Sequence, residues 1–383
     1  MKPTRLLISA LLALAALAGC GGTTSESAFQ AAAPNYQALS MDLTSGDEAA
    51  PSAAALTVAG GDAAAVTLPD CHPHLFIRTH DVVSRVNRHM WFFLRHVEGM
   101  IHRHPDTTTG DSQVWERVRD GIDVRFTITR SGDAVFTWKL EMKKVVATDF
   151  VTVFSGQIDR TGAQGAHQGV GDAALDLGAL AGVTGQDVAG VLAAHFETFT
   201  GKRLVVVDAK GVIWDADANA PFLRQPRDAH YVYDREPGTG GSLKVDEQMV
   251  FACPTNPALA PADVKLVARW YKTASGAVHG SSDALMTGGQ LPAGDKVVGL
   301  TCHQGAVESA DQAESYWLMK EEDPTGATVA GSAHSSSIDP PTVCDPLLNP
   351  PNGDVPALDN PATDFDMSGI VFTDSAPYPF PGI

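Results

Sequence analysis

The feature that most restricts this chain is a change of hydrophobic period between residues 81 and 143. Val82, Val83, Val86, Met90, Phe93, Leu94, Val97 and Ile101 recur every three or four residues and share one helical face. The spacing predicts a helix from about Asp81 to His102, capped by Thr79 and ended before Pro105. From Val124 onward the period is two. Val124, Phe126 and Ile128 alternate with Arg125, Thr127 and Thr129. After Ser131-Gly132-Asp133, a second run (Ala134, Phe136, Trp138, Leu140, Met142) alternates with Val135, Thr137, Lys139, Glu141 and Lys143. Two alternating runs around a short Gly-containing link form an antiparallel hairpin.

Further strands are expected at 150–159, 169–177 and 203–208, and then at 230–234, 242–245, 264–272, 277–285, 297–302 and 315–320. Between them, Val188, Val191, Leu192, His195, Phe196 and Phe199 have helical spacing, with Asp187 as cap and Gly201 as stop. The expected fold class is therefore α+β. A long N-terminal amphipathic helix packs on antiparallel sheet, and one short helix intervenes.

Composition sets the ends of the folded part. The chain has 383 residues and a formal charge of −18, carried unevenly. Residues 21–69 hold five acidic residues and no basic ones, among Ala, Gly, Ser and Thr, and read as a flexible tether. Beyond Lys320 there is no Lys or Arg, but there are ten acidic residues and eleven of the 24 prolines, the composition of a coreless tail. The expected division is 1–19 leader, 20–69 tether, 70–208 helix plus sheet, 209–320 a second β-rich part that could continue the first, and 321–383 tail. Phosphate-backbone affinity comes from Lys and Arg, so this balance argues against a nucleic-acid partner. After the first twenty residues, no apolar run is long enough to cross a bilayer as a helix.

The leader carries Lys2 and Arg5, an apolar stretch from Leu6 to Leu17, and then Leu17-Ala18-Gly19-Cys20. Those four residues resemble the lipobox of bacterial lipoproteins in every position. The resemblance covers the leader alone. It implies diacylglycerol on the Cys20 thiol, cleavage between Gly19 and Cys20, and acylation of the new amine. Two or three acyl chains hold far better than one, since each buried CH₂ contributes about 0.8 kcal/mol. Gly21 is not the aspartate that retains many lipoproteins at the inner membrane, so the expected location is the cell envelope, at the outer membrane where there are two. The order of elements and the anchoring resemble the half-barrel carriers and lipoproteins that shelter acyl chains in bacterial envelopes. That likeness is topological.

The chemistry-bearing residues give weaker signals. With Cys20 lipidated, Cys71, Cys253, Cys302 and Cys344 form an even set in an oxidising compartment, and two disulfides are expected. Of three pairings, Cys253 with Cys302 and Cys71 with Cys344 are preferred. Seven of the 13 histidines lie between His72 and His104. His72 and His74 form an H-x-H that can chelate a metal on extended chain. The alternative is a solvated basic helix flank of Arg85, His89, His96 and Arg103, and this reading is preferred. His195 is read as a core histidine. Asp215, Asp217 and Asn219 begin like a calcium loop, but Ala220 and Pro226 break the pattern, which leaves an Asx-rich turn.

No nucleophile elbow, zinc-protease motif or phosphate loop is present, so no catalytic residue and no cofactor is assigned. The leading functional expectation is a non-enzymatic envelope lipoprotein with a binding or structural role, held to the membrane through Cys20 and facing an envelope protein or an apolar ligand. A half-barrel-like binder of lipid or another apolar molecule is the alternative, motivated by the stripe Phe126, Phe136, Trp138. A hydrolase or metal-dependent enzyme is the third. Replacing Cys20 with Ser removes the acceptor thiol. Labelled palmitate is then expected to vanish from the protein, and incorporation into the Cys20→Ser form would refute the lipobox reading.

Overall fold

The computed structural model describes residues 27–41, 75–213, 226–236, 240–249, 262–272, 278–289, 291–304 and 314–335. Two short helices, α1 (Ala28–Ala32) and α2 (Tyr36–Leu39), precede the long helix α3 (Leu75–Ile101). Fifteen strands follow in one antiparallel sheet whose spatial order is the sequence order. They are β1 (Thr107–Thr108), β2 (Ser112–Arg119), β3 (Ile122–Arg130), β4 (Val135–Lys144), β5 (Val151–Asp159), β6 (Gly169–Asp176), β7 (Ala189–Phe199), β8 (Lys202–Ile213), β9 (Arg227–Glu236), β10 (Gly240–Met249), β11 (Ala262–Lys272), β12 (Val278–Gly288), β13 (Lys296–Gln304), β14 (Glu314–Glu322) and β15 (Thr328–Ser335). Helix α4 (Leu177–Thr184) lies between β6 and β7.

The α+β expectation is thus overturned: the described chain is mostly β, a single uninterrupted meander with four helices set against it. β8 pairs with β9, so the parts drawn on either side of residue 209 share one sheet. The coreless tail begins too early in the sequence reading, because β14 and β15 carry the ladder to Ser335. The tether reading also fails for residues 27–41. Ser27 and Gln30 form a reciprocal capping box on α1, and Asn35 caps α2.

The expected helix over 187–199 is strand β7. Valines, alanines and phenylalanines at its three- and four-residue spacings also satisfy a strand once Gly190, at φ +91°, introduces a bulge. Leu192, Ala194 and Phe196 then face inward, and His195 and Glu197 outward. The helix of this region stands ten residues earlier. Asp176 Oδ1 accepts the Ala179 N–H at 2.8 Å, and Gly185 ends it in the left-handed region at φ +77°. Thr79 is no cap either: it lies inside α3, its hydroxyl donating to the Leu75 carbonyl at 2.8 Å.

One helix touches both arms of the sheet, and this fixes the shape. Thr79 Oγ1 lies 3.5 Å from Ser282 Oγ on β12, while Trp115 Nε1 on β2 donates to the Arg103 carbonyl at 3.0 Å, just past the end of α3. Ten inter-strand steps of ~4.8 Å would separate β2 from β12 by about 48 Å in a flat sheet. The 24 residues from Thr79 to Arg103 span only about 36 Å of helix. The sheet therefore curls around α3, and its concave face holds the core: Trp115, Phe126, Ile128, Trp138, Val205, Tyr233, Leu243, Val245 and Leu266 are essentially inaccessible. Large rings need bare backbone beside them. A Cβ on Gly156 would stand 2.6 Å from Trp138 Nε1 and 2.4 Å from the Asp172 carbonyl oxygen.

The N-terminal helices are fastened by polar contacts to backbone. Gln30 Nε2 donates to the Ile101 carbonyl at 2.7 Å, Glu98 accepts the Tyr36 N–H at 2.9 Å, and His167 N–H donates to the Ala31 carbonyl at 2.7 Å. Buried Asn87 on α3 accepts the Met41 N–H at 2.8 Å and donates to the Met41 carbonyl. Asn87→Ala leaves both backbone groups unpaired in the core and is expected to cost about 2–4 kcal/mol. A lowered urea midpoint, with faster proteolysis between residues 36 and 41 than elsewhere, checks this. An unchanged midpoint would contradict it.

Candidate functional site

The inward positions of β6, β7 and β8 carry small residues where the neighbouring strands carry rings. Ala173, Ala194 and Ala209 face α3 here, whereas Phe126, Trp138 and Tyr233 fill the same face elsewhere. Against Val86, Met90 and Phe93 of α3 the alanines leave space, a crevice of about 80 Å³ closed further by Leu39 of α2, Phe154 of β5 and Val207 of β8. Its lining has one polar group, the phenol of Tyr231, whose hydroxyl donates to the buried Glu247 carboxylate beside it. Phe93 and Phe154 meet across one wall with ring centroids 4.7 Å apart. Such a crevice, about half the volume that admits a benzene ring, can take a small apolar group or the end of an alkyl chain. It brings no set of charged groups to one point.

The convex face is polar. A broad groove of about 620 Å³ crosses β2 to β5, lined by Thr127, Thr129, Thr137, Lys139, Arg125 and Glu141 among others. Its charges are engaged with one another: Lys139 Nζ and Arg125 Nη2 each lie 2.8 Å from the Glu141 carboxylate. Burial raises the Glu141 pKa, but the ion pairs with Lys139 and Arg125 outweigh it and hold the carboxyl below its usual range.

Further along the same face, Asp208, His230, Asp246 and Lys265 sit opposite one another on β8, β9, β10 and β11. His230 Nδ1 bonds Asp208, and in a second pair His195 Nδ1 lies 2.9 Å from Asp172 Oδ1. These are directly opposed cross-strand neighbours, in which an imidazole nitrogen meets a carboxylate. The reading of His195 as a core histidine is corrected: a strand turns it to the outer face.

Of the residues singled out in the sequence, Cys20, Cys71, Cys253, Cys344, His72, His74, Asp215, Asp217 and Asn219 lie outside the described residues. Cys302 is on β13, at an irregularity in the pairing with β14. His96, His102 and His104 are exposed near the end of α3. Among the described residues, no group of three or more His, Cys, Asp or Glu side chains is placed to hold a metal ion. The alanines that make the crevice carry no chemical signature. They become visible only when β7 is read as a strand.

Burial, and then the Asp263 charge, raise the Asp246 pKa above the usual aspartate range, while Lys265 and His230 partly offset them. A raised folded-state pKa means that this carboxyl supports the fold while protonated, below its unfolded pKa, and loses that contribution as pH rises through the folded value. Asp246→Asn does not titrate. Its stability relative to wild type is expected to grow from about pH 4 to pH 7, read as the gap between urea midpoints; a gap that shrinks over that interval would contradict the assignment. No known protein family matches this sequence, and neither a characterised protein nor a solved structure resembles it significantly.

Proposed function

We propose that this protein is a lipid-anchored component of a bacterial cell envelope, a binding protein and not an enzyme, whose curled sheet holds a small apolar group or the end of an apolar chain against α3. The observation that carries the reading is the crevice between Ala173, Ala194 and Ala209 on the sheet and Val86, Met90 and Phe93 on the helix. Apolar surface left uncovered inside a core is costly, and a cavity lined by hydrocarbon stays dry and accepts apolar guests. A lining with a single phenol suits hydrocarbon. Catalysis would call for several polar groups converging on a reacting atom.

The lipobox-like Leu17-Ala18-Gly19-Cys20 supports the anchor, and Gly21 the outer membrane as destination. An envelope lipoprotein meets acyl chains continually, so anchor and crevice fit one role. Native mass spectrometry of the protein taken from its own envelope is the direct test, and the expected result is a co-purifying lipid or other apolar molecule.

Ala194→Leu gives an independent check. The larger side chain fills most of the 80 Å³, which is expected to raise stability by up to about 2 kcal/mol and to abolish binding of a fluorescent alkyl probe. Probe binding equal to wild type would remove the crevice from the proposal.

A further inference from the structure

Among the described residues, four of the six exposed large hydrophobic side chains lie at one end of β2–β5, the other two being Val170 and Val329. Val146 is 93% exposed, Val118 65%, Val145 53% and Val151 43%. They lie at or beside two neighbouring turns, Val118 at the end of β2 and Val151 at the start of β5. Asp120 (φ +52°) and Gly121 (φ +77°) make the two-residue link between β2 and β3, and residues 145–150 join β4 to β5. The Val145 N–H donates to the Gly121 carbonyl at 2.9 Å, which ties the turns into one tip. Arg117, Arg119, Lys143 and Lys144 stand around the valines, with Asp120, Asp123 and Asp149 as the local carboxylates. Arg119 pairs with Asp120 at 3.2 Å and Lys143 with Asp123 at 3.9 Å. On a chain of net charge −18, these four cations and three carboxylates leave the tip with a net +1, Arg117 and Lys144 being outside the two ion pairs.

We infer that this tip is a second membrane contact, seating Val118, Val145, Val146 and Val151 in the interface of a bilayer that contains anionic phospholipid. Three observations favour a bilayer over a protein. Val145 and Val146 stand on a protruding turn, with Val118 and Val151 on the strand ends that flank it. Four valines are far too little for a stable protein interface, which takes roughly 800 Å² per partner with matched shape, whereas a bilayer interface needs no matched shape. The cations at the rim complement an anionic headgroup layer, where each Lys or Arg adds attraction and apolar side chains add burial.

Six residues lie between Cys20 and Ser27, the cap of α1, a span of at most about 25 Å; α1 packs on Phe136 at the opposite end of β4 from the tip, so anchor and tip meet one bilayer only with the strands inclined to it. This step rests on the lipid-anchored reading. The tip itself does not.

The test uses the full mature chain carrying Cys20→Ser, so that no lipid contributes, in sedimentation with vesicles of phosphatidylcholine alone or with one-third phosphatidylglycerol. Binding to the anionic vesicles is expected, with little to the neutral ones and release by high salt. Lys143→Gln with Lys144→Gln is expected to weaken it by about thirtyfold, roughly fivefold per cation. Val146→Asp, at a position 93% exposed and free of packing, is expected to weaken it about tenfold or more. An environment-sensitive dye on Val146→Cys should shift to the blue only with anionic vesicles. Equal sedimentation of wild type and both variants would overturn the proposal, as would self-association in the absence of vesicles that Val146→Asp abolishes. Palmitate labelling reports on the anchor separately, so failure of the tip and failure of the anchor give different results.

Discussion

The concave face of the sheet is the constraint from which the other features follow. A meander of fifteen strands satisfies its backbone groups along the ladder, but that leaves two faces to be reconciled with water. One face is polar, with Thr, Lys, Glu, Asp and His at alternate positions. The other carries Trp115, Phe126, Trp138, Phe196, Tyr233 and Trp270, which must be covered. A single helix does much of this, and it reaches from β12 to β2 only because the sheet curls. Burial of α3 and curvature of the sheet are one arrangement seen from two sides.

Within it, the helices around α3 act as closures. α1 sits over the end of the long helix, with Phe29 edge-on to Phe136 at 5.7 Å. α2 reaches the middle, where Leu39 helps close the crevice. α4 packs against β4, β5 and β7. Buried polar side chains bind these short helices through backbone groups, which places their hydrogen bonds where water is absent and gives each a defined seat. The crevice is left where the sheet offers alanine instead of an aromatic ring. Function, on this reading, comes from a local thinning of the core.

The exterior is organised by the same register. Because directly paired residues share a face, rows such as Asp208, His230, Asp246 and Lys265 form across four strands. Opposed polar groups in such rows are hydrogen-bonded or ion-paired across the strands. The end of β2–β5 departs from this most among the described residues, with four of the six exposed valines. Protein and membrane would meet there, away from the crevice.

The sequence by itself determined local conformation wherever one periodicity prevailed. Phe126 to Ile128 and Phe136 to Met142 could only be strands with one apolar face, and the spacing from Val82 to Ile101 could only be a helix. The sequence could not determine β7, since Val191, Leu192, His195, Phe196 and Phe199 satisfy both periods. The choice depended on pairing with β6 and β8, whose contacts are distant in sequence. Composition misled at both ends: Ala- and Ser-rich residues 27–41 order only because Asn87, Glu98 and Arg203 offer hydrogen bonds to their backbone, and an acidic, proline-bearing segment can still add β15 to a ladder already built. The crevice was decided by tertiary structure alone. Ala173, Ala194 and Ala209 carry no chemistry of their own, and the space they leave exists only when the curled sheet sets them opposite Met90 and Phe93.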